Sequence, residues 1–225
     1  QPSVSAPAPA ATISQPVPEE GLLSGRQRKS AFTLMLIGFA VQGFTLSAVL
    51  LQMLPLLSGL GLGGSAVLIG SLFGPAQVLS RFVNMLFGRG LPQTSLAIIA
   101  AGLLPAGLVV LALSTPAIAG AVLFAVLFGL GSGLTSIVSG SLPLYLLGRQ
   151  GYASRLGWLS AARQIASAVA PFILALAMGA FGIAPALWLV VGFGLIALVA
   201  FAAIALLPAM APAALAGESA AGHSG

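Results

Sequence analysis

Long apolar runs, separated by short breaks rich in Gly and Pro, fill the chain from Ala31 to about Leu207, and no acidic residue interrupts them. Unbroken runs of more than about 18 residues suit membrane-crossing helices; the strands of a membrane barrel would instead alternate over about ten residues. The pattern predicts six spans, at about 31–57, 64–87, 93–113, 116–146, 154–181 and 184–207. Each is long enough for a hydrocarbon core of about 30 Å at about 1.5 Å per residue. The breaks fall at Ser58–Gly64, Gly88–Pro92, Ser114–Pro116, Gly148–Ala153 and Gly182–Pro185, where Gly and Pro act as punctuation.

Polar positions are spread unevenly over these spans. Span one carries Gln42, Thr45 and Gln52 on one helical face, and span two carries Gln77, Arg81 and Asn84 as a stripe continued by Gly74 and Gly70. Span three is apolar beyond Thr94 and Ser95. Span four shows Ser132, Thr135, Ser136 and Ser139, span five shows Ser160, Arg163, Gln164 and Ser167, and span six has no polar side chain between Pro185 and Leu207. The order is polar, polar with arginine, apolar, and then the same triplet again. Polar groups in lipid need a partner or water, so spans one, two, four and five are expected to shelter an interior while spans three and six face lipid. A 3+3 inverted repeat is the organisation of a secondary transporter.

Composition agrees with a membrane-embedded chain: 59% of residues are hydrophobic and 5% charged, against about 25% charged in soluble domains, and the mean hydropathy is +1.12. The net charge of +5 could point to nucleic acid, but apart from Arg81 and Arg163 every basic residue sits at a span end, beside lipid headgroups. Arg26, Arg28 and Lys29 precede span one, Arg89 follows span two, and Arg149 and Arg155 flank the break after span four; the other breaks are uncharged. The positive-inside rule then puts both termini in the cytoplasm. Residues 1–30, rich in Pro, Ala and Ser, read as a flexible cytoplasmic linker within a longer chain, because they lack the order of a signal peptide. Residues 208–225 read as a disordered cytoplasmic tail.

The chemistry available is narrow. There is no cysteine, and the only histidine, His223, lies in the tail, so no nucleophile–base pair or metal cluster can be assembled. An enzyme is not expected, and neither is a cofactor or metal. Gly129-Leu-Gly-Ser-Gly133 follows no strand, so it reads as a close-packing site and not a phosphate loop; Gly70/Gly74 and Gly59/Gly63 read the same way. Pro143 and Pro171 are expected to kink spans four and five.

Arg81 and Arg163 stand out because the only acidic residues are Glu19, Glu20 and Glu218, all outside the spans. An arginine near a bilayer centre costs about 2.5–3.5 kcal/mol and stays charged. Arg163 lies roughly 13 Å along its helix from Ser154, too deep for easy snorkelling. It is expected to bind an anion or to form an inter-half salt bridge or gate. Arg81, nearer its helix end, either snorkels or makes an inter-half or gating contact. Gln42, Thr45, Gln52, Ser136 and Ser139 are the candidate cavity groups beside Arg163; Gln77, Asn84 and Gln164 join Arg81 as candidate gating or inter-half residues.

Gly70-Ser-Leu-Phe-Gly-Pro-Ala-Gln-Val-Leu-Ser-Arg81, and Gly140-Ser-Leu-Pro-Leu-Tyr through Gly157-Trp-Leu-Ser-Ala-Ala-Arg163 to Ala170-Pro171, resemble the C-terminal six-helix half of a bacterial major facilitator superfamily permease. The resemblance covers about 31–207 and makes residues 1–30 that family's central cytoplasmic loop. It implies a bacterial inner-membrane location, an absent N-terminal half as partner, first and fourth helices lining a central cavity, second and fifth packing on the other half, and third and sixth meeting lipid. Gly74, Arg81, Gly88 and Arg89 correspond to the family's loop signature, whose acidic member is missing here. The expected function is therefore half of a secondary active transporter for a small solute, an organic or inorganic anion on the charge argument, working by alternating access. A non-transporting membrane subunit or scaffold, and a half-transporter acting as a homodimer, are the competing classes. The lipid bilayer is the expected surrounding, with no nucleic acid partner.

Overall fold

The computed structural model describes Leu23, residues 25–87 and residues 91–207. These form α1 (Gly25–Leu51), α2 (Met53–Leu57), α3 (Ala66–Phe87), α4 (Gln93–Ser114), α5 (Ile118–Leu147), α6 (Tyr152–Phe181) and α7 (Ile183–Leu206). Among the described residues there is no strand. Six helical stretches are long and apolar enough to cross a membrane, with α2 and α3 counted together as Met53–Leu86. The chain is all-helical, and that count supports a multi-pass membrane protein. The greater part of the expected 1–30 linker, residues 88–90 with Arg89, and the expected 208–225 tail lie outside the described residues.

The first helix starts earlier than the hydrophobic run predicts. Residues 25–30, expected in the flexible segment, are helical because their polar side chains find partners: Gln27 Nε2 donates to Leu207 O (3.2 Å) and Arg28 Nη2 to Leu147 O (2.7 Å). Just before them Leu23 is buried, and its N–H donates to Leu146 O at 3.4 Å. The break between spans one and two also differs from an open loop. It is a turn of π-helix (Ser58–Leu62) and a turn of 3-10 helix (Gly63–Ser65). Gly61 takes φ 83° there, a conformation that costs a residue with a Cβ but not glycine.

The helices pair unequally. α5 is flanked by α3 and α4, α1 is flanked by α6 and α7, and α4 packs on α7 to join the two groups. Close crossings fall where glycine removes side-chain bulk. A Cβ at Gly129 would stand 2.7 Å from Ala76 Cβ, and one at Gly133 would stand 2.5 Å from Gln77 O, so α3 lies directly against α5. One turn face away, Gly131 meets Leu103 and Leu104 of α4, while Gly43 on α1 meets Arg163 and Ser167 on α6. Gly74, expected to pack closely, faces open space. Two apolar clusters fill the interior. One is built on Phe44, Leu56, Leu108, Phe124 and Phe128; the other on Met35, Phe39, Leu142, Leu146 and Phe201, with Phe39 and Phe201 edge to face at 5.1 Å.

Burial among the described residues is uneven: half of the apolar core of α4 and 39% of that of α7 is buried, against 28% for Met53–Leu86 and 17% for α6. The physical reason is position: α4 and α7 cover each other and the backs of α5 and α1, whereas α3 and α6 stand at the flanks, each packed chiefly on one neighbour. The uncovered flank surfaces are apolar, with Val67, Leu68, Val78 and Phe82 on α3 and Ile165, Phe172 and Leu176 on α6.

Candidate functional site

The polar stripes of α1, α3, α5 and α6 meet on one side of the bundle. A hollow of about 380 Å³ opens there, lined by Gly43 and Ser47 from α1, Gln77 from α3, Ser132 and Ser136 from α5, and Arg163 from α6. A second hollow of about 260 Å³ continues it past Ser136, Ser139, Ser160 and Arg163, and a third of about 310 Å³ is walled by Ser160, Arg163 and Gln164. No residue of α4 or α7 lines any of the three.

Arg163 is the one residue common to all three hollows. It is half-buried, about 16 Å along α6 from Tyr152 and so near the middle of the helix. Among the described residues its side chain makes no hydrogen bond, and none of them is acidic. The stem is held by close approach: a Cβ at Gly43 would come within 2.6 Å of Arg163 Cγ and 2.9 Å of Ser167 Oγ. Glycine at that place lets α1 press on the base of the side chain while the guanidinium reaches into the hollow.

The surrounding polar groups form a connected set. Gln77 Nε2 donates to Ser132 Oγ at 2.9 Å, Arg81 Nη2 donates to Ser136 Oγ at 3.2 Å, and Ser136 Oγ donates to Ser132 O at 3.2 Å. Ser139 Oγ donates to Ser136 O at 3.0 Å. Arg81 is exposed and tied across to α5 through Ser136, which lines the first hollow. Chemically this is a surface of hydroxyls and amides around a fixed positive charge. It can bind an anion by charge-assisted hydrogen bonds.

Three expected cavity residues, Gln42, Thr45 and Gln52, line none of the three hollows. Gln42 is buried between helices and donates from Nε2 to Thr135 Oγ1 at 2.9 Å; Thr45 is fully buried and donates to Val41 O, one turn back in its own helix, at 3.0 Å. Neither lines the hollow, though Gln42 backs its wall through Thr135, which does. Gln52 sits at the α1–α2 junction and bridges to α6, donating to Pro171 O at 3.1 Å. Asn84 lines none of the three hollows, and its Oδ1 is buried without a partner among the described residues. Gln164 is exposed in the third hollow.

Ser47 is the lining residue that the polarity pattern overlooks. Its hydroxyl donates to Ser167 O at 2.7 Å. The signal was present as Gly43 and Ser47, small residues four apart on the face that meets α6, set against Pro171, whose missing N–H frees the carbonyl of Ser167. No family model matches the chain and no curated protein matches it, so its geometry alone carries the functional reading.

Proposed function

We propose that this chain is one six-helix half of a secondary transporter that moves a small anionic solute by alternating access. In this reading it belongs to the major facilitator type, lies in a bacterial inner membrane with both termini cytoplasmic, and completes its substrate site with a second six-helix half. The observation that carries the proposal is Arg163: a permanently charged group near mid-helix, facing three adjoining hollows, among residues that include no carboxylate. Such a charge in a membrane marks a ligand or ion path by default.

The neighbour pattern supports the repeat. Exchanging α1 with α5, α3 with α6 and α4 with α7 turns the pairs α1–α6 and α1–α7 into α5–α3 and α5–α4, and leaves α4–α7 unchanged. The helices exchanged are those that correspond in a 3+3 arrangement. No carboxylate lies in the spans, so proton coupling, where it operates, uses an Asp or Glu of the second half; otherwise the transporter is a uniporter or an anion exchanger.

The test is anion counterflow by the full-length protein in proteoliposomes, with a panel of organic and inorganic anions. Losing a charge-assisted contact worth about 1.5–3 kcal/mol predicts about a ten- to hundredfold fall in transport for Arg163→Gln, with partial retention in Arg163→Lys. Normal transport by Arg163→Gln would overturn the proposal.

A further inference from the structure

A second positively charged hollow lies at the opposite part of the chain's chemistry, where the start of α1 meets the end of α5 and the start of α6. It encloses about 360 Å³ between Arg28, Lys29, Phe32, Leu147 and Arg155. Arg28 Nη2 and Arg155 Nη1 both donate to Leu147 O, at 2.7 and 3.2 Å, so two guanidinium groups converge on one carbonyl. Arg28 Nε is buried and has no hydrogen-bond partner among the described residues. Like charges held this close repel, and a buried N–H without an acceptor is costly. One anion in the hollow would relieve the repulsion between the two guanidinium groups.

We propose that this hollow binds the phosphate of an anionic phospholipid headgroup. The site sits at the ends of helices apolar enough to cross a membrane, which is the depth of lipid phosphates. Its walls are mixed in the way an amphiphile requires. Three cations face the phosphodiester, while Phe32 and Leu147 offer apolar surface to the glycerol and first acyl carbons. Basic pockets between membrane helices recognise headgroups in this manner. The proposal needs only the membrane setting and is independent of the transport reading.

Native mass spectrometry of the full-length protein in detergent tests it, with phosphatidylglycerol, phosphatidylcholine and inorganic phosphate titrated separately. One phosphatidylglycerol is expected to stay bound, with affinity about fivefold lower in Lys29→Gln and in Arg155→Gln. Phosphatidylcholine should bind far more weakly, and inorganic phosphate should not displace the lipid. Lys29→Gln is the safer variant, because the exposed Lys29 side chain makes no hydrogen bond among the described residues, unlike Arg28 and Arg155. Three results would overturn the proposal: phosphatidylglycerol binding unchanged in both variants, equal retention of phosphatidylcholine, or displacement of the lipid by phosphate. Lipid binding that emerges only in a Glu19→Gln/Glu20→Gln protein would also overturn it, by assigning the hollow to the chain's own acidic pair.

Discussion

At Pro171 the ring removes the N–H that would otherwise close on the carbonyl of Ser167, and in its place the hydroxyl of Ser47 reaches across from α1 at 2.7 Å. An orphaned carbonyl inside a membrane is expensive, so the serine and the proline are coupled although they lie on different helices. Ser47→Ala should cost about 0.6–1.7 kcal/mol. In a Pro171→Ala background the restored N–H satisfies Ser167 O, and the same change should cost close to nothing. Thermal unfolding of the four proteins in detergent gives this cycle; an equal cost in both backgrounds would refute the coupling. Glycines divide in the same local way. Gly133→Ala forces a Cβ to 2.5 Å from Gln77 O and should cost about 1–3 kcal/mol. Gly140→Ala, on the same helix with nothing within 4 Å of its Cβ position, should be neutral or gain up to about 1 kcal/mol. Melting midpoints that move alike for the two variants would remove the claim that α3 and α5 touch through Gly133. Gln42 and Thr45 mark the limit of reading single residues. Their spacing put them on one helical face, but a sequence pattern reports only that a polar group needs a partner. Whether that partner is water in a hollow, a lining residue such as Thr135 or a carbonyl one turn back such as Val41 depends on how the helices are rotated against one another.

At the scale of helices, the polar, polar, apolar order was legible because lipid tolerates no unsatisfied side chain, and the three hollows around Arg163 draw on α1, α3, α5 and α6 alone. What the order could not convey is which apolar surfaces are covered. An apolar residue suits lipid, a neighbouring helix and a second subunit equally well, so the mutual burial of α4 and α7 was invisible, as was the exposure of Phe82 and Phe172 on the flanks. Wetness, unlike hydrophobicity, separates these surfaces experimentally, and the natural lack of cysteine makes the measurement clean. Thiolates form only where water reaches. Single cysteines at Ser136 and Ser160, in the hollows, should therefore react readily with a water-soluble methanethiosulfonate in intact membranes. Cysteines at Leu195 on α7 and Phe172 on α6, which lie on apolar surface, should react at least about tenfold more slowly, since burial in apolar surroundings raises the thiol pKa. Comparable rates at all four positions would mean that the hollows are not water-filled.

For the molecule as a whole, charge and connectivity agree on sidedness. Gln27 at the start of α1 donates to Leu207 just beyond the end of α7, so both ends of the helical bundle lie on one side, as an even number of crossings requires. The start of α1 also touches the end of α5 through Arg28, and Arg155 at the start of α6 reaches the same carbonyl. Arg28 and Arg155 thus gather on that side, and the positive-inside rule predicts that it faces the cytoplasm. Span number was readable from sequence because bilayer thickness fixes the length of each run. The exact start of α1 was not, because it is set by tertiary hydrogen bonds to Leu147 and Leu207. Labelling with a membrane-impermeant maleimide in right-side-out vesicles turns this into a sharp expectation. Cysteines at Ser58, Ala117 and Ala184, exposed at the uncharged turns, should all label from outside. Cysteines at Ser30 and Gln150, exposed on the basic side, should label only after the vesicles are permeabilised. A mixed result within either set would break the even crossing count, while a clean result with the two sets reversed would keep the bundle and invert it against the charge rule.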